Sequence, residues 1–100
     1  MNTGCLLVLY APRALEDAIV DLLLSLETDQ GFSSFPVSRH HHHGQGLSLA
    51  EQVSGRQQQI CFQIQTCEQA LDLLIQQIRE EFAGARIVYQ ILPLWASGSI

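Results

Sequence analysis

The 100-residue chain has no lysine, a single methionine, a single tryptophan, and few charged residues, which make up 15% of the sequence. Its five basic residues are all arginines spread along the chain, against ten acidic residues and a formal net charge of −5. Nucleic-acid binding depends on clustered lysine and arginine that neutralise phosphates. The composition therefore argues against a nucleic-acid partner.

Long apolar runs are also missing, and no segment approaches the ~20 apolar residues that a membrane-spanning helix requires. The first apolar run, residues 5–10, lacks a basic flank and is too short for the hydrophobic region of a signal peptide. Cys5, Cys61 and Cys67 are odd in number and have no CxxC spacing, which favours free thiols in a reducing compartment. We therefore expect a cytoplasmic protein without membrane insertion.

The apolar residues, counted with tyrosine, tryptophan and cysteine, form 47% of the chain and change period along it. Residues 5–10 are apolar at every position, which is typical of a central strand that is buried on both faces. Apolar residues then recur at helical spacing up to Leu26, and Pro12 suits the first turn of that helix. Val20 and Leu24 widen its apolar face beyond what one sheet needs, which indicates a second contact, most simply between subunits.

The remaining segments predict, in chain order, a strand at the edge of the sheet, a third strand, a second helix and a last strand. Phe32, Phe35 and Val37 indicate that edge strand, because Pro36 cannot donate to a ladder. From Gln58 the period becomes two, with isoleucines and Phe62 on the core face and glutamines on the other. Thr66 and Gln69 form a capping box that predicts the start of the second helix, Gly84 ends it, and residues 87–92 form the last strand.

The element order β-α-β-β-α-β predicts a ferredoxin-like α+β sandwich, with residues 1–100 as a single domain. Its first and third strands are expected to be central. The connection between the second and third strands, residues 39–57, is far longer than an ordinary hairpin loop. A long loop on a small scaffold is usually functional or disordered, and this one carries every histidine of the chain.

His40, His41, His42 and His43 are the candidate metal ligands. Neutral imidazole suits Ni, Co, Zn and Cu, and in an extended segment alternate histidines face the same way, so each pair could chelate one ion. Four consecutive histidines do not form a closed site on their own, and the adjacent Arg39 opposes cation binding. A solvated loop that binds metal weakly and without selectivity is the competing interpretation.

A second candidate surface follows the histidines. Ser48 and Glu51 form a capping box that predicts a short helix over residues 49–54. Leu49, Glu51, Val53 and Arg56 would then be available to a protein partner. This leaves open a docking module in which metal is incidental.

A βαββαβ chain with a long loop between its middle strands resembles the PII-like superfamily. More closely, Gly31-Phe32, Phe35-Pro36-Val37, residues 47–56 (Leu-Ser-Leu-Ala-Glu-Gln-Val-Ser-Gly-Arg) and Pro93 with Ala96-Ser97-Gly98 resemble a small bacterial family of unknown function, domain of unknown function 3240. That family is classed as PII-like and often lies beside heavy-metal efflux genes. The resemblance implies a homotrimer, a signalling role and a link to metal efflux.

The chain departs from nucleotide-binding PII proteins in one respect. Those proteins hold phosphates in a basic, glycine-rich loop between the second helix and the fourth strand. Here that connection is Phe-Ala-Gly-Ala-Arg at residues 82–86, with one glycine and no lysine. A phosphate nest needs several free backbone N–H groups and a nearby cation. The sequence therefore argues against ATP binding in the usual PII manner.

No catalytic arrangement stands out, because the acidic pairs Asp17/Asp21 and Glu80/Glu81 are typical of solvated helix faces. We therefore expect no enzyme. Three hypotheses remain: a metal-responsive PII-like trimer, a protein-docking module, and a sensor of small ligands bound between subunits.

Overall fold

The computed structural model describes residues 4–26, 31–40 and 56–100. Within them the chain forms strand β1 (Cys5–Pro12), a 3-10 turn (Arg13–Leu15), helix α1 (Glu16–Ser25), strand β2 (Phe32–His40), strand β3 (Arg56–Thr66), helix α2 (Glu68–Glu81) and strand β4 (Val88–Pro93). The order β-α-β-β-α-β predicted from hydrophobic periodicity is confirmed.

The four strands form one antiparallel sheet in the order β2-β3-β1-β4. The central strands are β1 and β3, as the uniformly apolar sequence of β1 requires, and β2 lies at an edge, where Pro36 is tolerated. Two helices and an antiparallel sheet with this strand order make an α+β fold of the ferredoxin-like type.

The hydrophobic core lies between the two helices and one face of the sheet. Paired residues of neighbouring antiparallel strands lie on the same face, so Leu9 and Phe62 are in register on the covered face. Alternate positions of β1 and β3 meet the inward-facing residues of the helices there: Leu7, Leu9, Ala11, Ile60, Phe62 and Ile64 from the sheet, with Ile19, Leu23, Leu74 and Ile78 from the helices.

The subunit contact that Val20 and Leu24 suggested is not needed to explain Val20 and stays a prediction for Leu24. Val20 packs against the core of its own chain. Leu24 is 65% exposed, so its side chain is the part of the α1 apolar face that the fold leaves in solvent. The extra width of that face is therefore explained in part by packing within one chain.

Element ends differ from the sequence predictions in two places. Strand β1 continues to Pro12, so the α-helix begins only at Glu16, after a 3-10 turn. The capping box at Thr66 and Gln69 is wrong: Cys67 is the N-cap of α2, without a side-chain hydrogen bond, and Thr66 still pairs with Cys5 in the sheet. The pairing of β3 with β1 thus includes the residue whose side chain suited a cap.

The boundaries of the long connection also change. Strand β2 continues to His40, and its ladder with β3 includes the pairs Arg39–Gln57 and His40–Arg56. These four residues therefore belong to strands and not to the loop predicted over residues 39–57. The segment between them, residues 41–55, lies outside the described residues.

Candidate functional site

The candidate metal ligands begin where the β2–β3 hairpin ends. His40 is the last residue of β2, is exposed, and lies directly opposite Arg56, the first residue of β3. His41, His42 and His43 lie outside the described residues, as do Leu49, Glu51 and Val53 of the proposed docking surface. The structure thus places one of the four histidines in the last described pair of the β2–β3 ladder.

Arg39 lies on the opposite face of the sheet from His40. Its Cζ sits 4.0 Å from the centroid of the Tyr10 ring, a cation–π contact that reaches from β2 across β3 to β1. Successive residues of a strand point to opposite faces, so this contact directs the Arg39 charge away from His40. Arg56, across the ladder, is the cation that a metal at His40 would meet on its own face.

A closed metal site is absent from the described part of the chain. Among residues 4–26, 31–40 and 56–100, no three His, Cys, Asp or Glu side chains come together as potential ligands. A structural zinc site takes four ligands, and other transition metals also need several. Any site that includes His40 must therefore draw on residues outside the described ranges, such as His41, His42, His43 or Glu51, or on another copy of the chain.

The face of the sheet opposite the helices, which we call the open face, combines a row of polar residues on β3 with mostly apolar residues on the other three strands. It carries Leu6, Val8 and Tyr10 of β1, Phe35 and Val37 of β2, and Val88 and Leu92 of β4. The row of glutamines on β3 was expected to make this face polar. Gln59, however, is only 4% exposed and Cys61 is buried beside it.

The Arg39–Tyr10 contact explains that burial. The Arg39 side chain crosses β3 to reach Tyr10, and Cys61 pairs directly with both Tyr10 and Phe35. Polar residues at the middle of the open face are thus sealed by their neighbours, while Gln63 remains exposed and Gln65 donates to the Ser97 hydroxyl at 2.6 Å. The surface that remains is mixed, with apolar patches at both edges.

Strand β4 is the more exposed of the two edges. All six of its residues are exposed, and Val88, Tyr89, Ile91 and Leu92 are each between 43% and 45% exposed. It carries no charged residue, and its single proline is its last residue. Edge strands of monomers are normally protected by charges, prolines or a covering element, and β2 has both Pro36 and Arg39. Strand β4 therefore has the character of an interface strand.

The buried thiols are poor nucleophiles. Burial raises the pKa of Cys61, and the nearby Arg39 charge offsets this only in part. Burial also raises the pKa of Cys5, with further contributions from Glu68 and Cys67, and its Sγ lies 3.6 Å from the carbonyl oxygen of Thr66. Since the thiolate is the reactive form, neither group is suited to nucleophilic chemistry near neutral pH.

This arrangement predicts one fast-reacting thiol per native chain. At pH 7–8 a raised pKa leaves Cys5 and Cys61 as thiols, and their burial excludes reagent, whereas Cys67 is exposed. We expect Ellman's reagent to titrate one thiol rapidly in native protein and three in denaturant. Cys67→Ser should remove the fast phase, and a fast phase that survives this substitution would contradict the assignment.

No helix in the described part of the chain is both long enough and apolar enough to cross a membrane.

Comparison with known proteins gives a family but no activity. The model of a family described as "Protein of unknown function (DUF3240)" matches residues 1–100. Among solved structures, the crystal structure of a DUF3240 family protein from Shewanella baltica OS155, determined at 2.40 Å resolution, is similar with a TM-score of 0.81 and 25% sequence identity. The similarity covers 100% of this chain and 99% of that one. No curated protein matches.

Proposed function

The chain belongs to the DUF3240 family of proteins of unknown function, and from that premise we propose that it is a PII-like homotrimeric regulatory protein of the cytoplasm. In this proposal the run His40–His43 binds a divalent transition metal. The metal-bound state is then passed to a protein partner, most simply a component of a metal efflux system. The protein acts by binding and has no enzymatic activity.

The observation that supports this proposal most directly is the position of His40. The β2–β3 ladder is paired along all nine residues of β2, so the histidine run begins on an ordered strand. Ligands that start from an ordered strand lose less conformational entropy on binding than ligands in a free coil. The redirection of Arg39 onto Tyr10 also removes one cation from the face that His40 occupies.

Assembly is supported by the apolar character of β4 and the open face. An unprotected edge strand with four half-exposed apolar residues is an unusual feature for a monomer of this size. Burying it against a second copy would also bring several histidine runs into one particle and so supply the ligands that one His40 lacks. The number three comes from the resemblance to PII-like proteins.

The turn between α2 and β4 gives no support to nucleotide binding in the manner of PII proteins. Helix α2 ends at Glu81 and β4 begins at Val88, so the connection has six residues. Only Gly84 and Arg86 adopt positive φ there, at 81° and 62°. A phosphate-binding nest needs several free successive N–H groups, and here the Ala85 N–H already donates to the Phe82 carbonyl oxygen at 3.0 Å.

Calorimetric titration of Ni²⁺, Co²⁺, Zn²⁺ and Cu²⁺ into tag-free protein tests the proposal. We expect submillimolar, saturable binding of at least one metal at a whole-number ratio per trimer, because ligands from three chains converge. Weak and fractional binding of every metal would contradict it and leave the histidines as a solvated segment.

A further inference from the structure

A pocket lies between the C-terminal half of α2, the turn that follows it, and β4. Its volume is about 430 Å³, near the lower end of the ~300–1,000 Å³ range of small-molecule sites. The floor is apolar: Leu9 and Ile78 are buried core residues, and Phe82 packs against the same core. The pocket is on the helix-covered side of the sheet and is separate from the hairpin that carries His40.

Two guanidinium groups line this apolar pocket. Arg79 comes from α2 and Arg86 from the turn, and none of the described lining residues is acidic. In an acidic protein with only five basic residues, two arginines at one pocket without a lining carboxylate create a local positive potential. Such a potential favours an anionic occupant.

Tyr89 supplies a third polar group. Arg79 Nη2 lies 3.4 Å from the Tyr89 hydroxyl, and the Arg79 Cζ lies 5.9 Å from the ring centroid. The contact links α2 to β4 over the pocket wall and leaves the phenolic hydrogen available as a donor. Two arginines and one hydroxyl are suited to the two oxygens of a carboxylate.

The backbone at Arg86 is the second unusual feature of this pocket. Arg86 has φ of 62°, in the left-handed region, where a Cβ crowds the following carbonyl oxygen and a side chain is disfavoured. Glycine would be the residue of choice for that conformation. Arg86 thus lines the pocket in a backbone conformation that glycine would adopt at lower cost, and a ligand contact would offset that cost.

From these observations we propose that the α2–β4 pocket binds a small carboxylate with a hydrocarbon body, such as a medium-chain acid. The hydrocarbon part lies against Leu9, Ile78 and Phe82, and the carboxylate is held by Arg79, Arg86 and the Tyr89 hydroxyl. The inference goes beyond the proposed metal function, since it concerns a second ligand at a separate place in the fold.

Calorimetry with octanoate tests the inference, with octanol and acetate as matched probes. We expect saturable binding of octanoate at one site per chain, and binding of octanol weaker by about tenfold or more, because a charge-assisted hydrogen bond contributes roughly 1.5–3 kcal/mol. Acetate should not bind measurably, because it lacks the hydrocarbon body. Octanol that binds as tightly as octanoate, or no octanoate binding at all, would overturn the proposal.

Three variants separate a binding effect from a folding effect. Arg79→Gln and Arg86→Gly should each weaken octanoate about tenfold, whereas Arg13→Gln, an exposed arginine on the 3-10 turn, should change it less than about twofold. Arg86→Gly should also melt at or above the temperature of the unaltered protein, because glycine accepts positive φ. Unchanged affinity in both pocket variants would overturn the proposal. A variant in which His40–His43 are replaced by alanine should still bind octanoate. Failure of the metal proposal can therefore be distinguished from failure of the carboxylate proposal.

Discussion

Replacement of His40, His41, His42 and His43 by alanine will abolish saturable transition-metal binding, with a loss of at least about a hundredfold in affinity. Neutral imidazole is the main ligand type that this chain offers to Ni, Co, Zn or Cu. Within the described ranges no other group of three ligand side chains exists to replace it. Calorimetric titration of the variant beside the unaltered protein measures the loss.

The matched control for this variant is Cys67→Ser, which removes the one exposed thiol, a soft ligand that also binds these metals. We expect this control to leave affinity and stoichiometry unchanged. If Cys67→Ser lost metal binding while the variant with four alanines kept it, the metal would be assigned to the thiol and the histidine site would be refuted. Circular dichroism of both variants should match the unaltered protein, since His40 and Cys67 are exposed.

Leu92→Glu will convert the assembled protein into monomers at micromolar concentration. Leu92 lies on β4 and on the open face, and it is 44% exposed in the single chain. A carboxylate placed there would lose its hydration on assembly without a compensating partner, at a cost of several kcal/mol for each interface. Sedimentation equilibrium should therefore show at least a hundredfold weakening of association.

Leu73→Glu is the matched control, since Leu73 is 58% exposed but lies on α2 and not on β4. It should leave the particle mass unchanged. Leu24→Glu, on α1, distinguishes the interface suggested by the sequence from the one suggested by the structure. Dissociation by Leu24→Glu with an intact Leu92→Glu assembly would place the interface on α1 and contradict the role given to β4.

The order of elements and the sheet topology could be predicted because both follow from local pattern. Residues 5–10 are apolar on both faces, so β1 had to be central, and Pro36 had to lie at an edge. The alternation of Ile60, Phe62 and Ile64 likewise determined which face of β3 enters the core. Single-sequence periodicity is sufficient where one face of an element is uniformly buried.

The strand ends near the histidines could not be predicted in the same way. Ser38, Arg39 and His40 have no apolar alternation, and they are held in β2 by the ladder to Gln57 and Arg56. The burial of Gln59 depends on neighbours in other strands, including an arginine whose side chain crosses β3 to Tyr10. Such contacts join residues far apart in the sequence, and no local signal indicates them.

The α2–β4 pocket escaped prediction for a related reason. Arg79 and Arg86 are seven positions apart, and each reads as an ordinary solvated arginine in its own segment. Only the fold brings both to one apolar pocket beside Tyr89. The one local signal was an arginine placed shortly after Gly84, where a turn with positive φ was to be expected.

Native mass spectrometry of tag-free protein, titrated with Ni²⁺ or Zn²⁺ from a metal-free start, tests the metal-responsive trimer most directly. The mass spectrum gives both the number of chains and the number of bound metal ions in the same particle. We expect a species with the mass of three 11.1-kDa chains that takes up a whole number of metal ions and loses them in the variant without His40–His43. A monomer, or a broad distribution of metal adducts that is the same in both proteins, would contradict the proposed function.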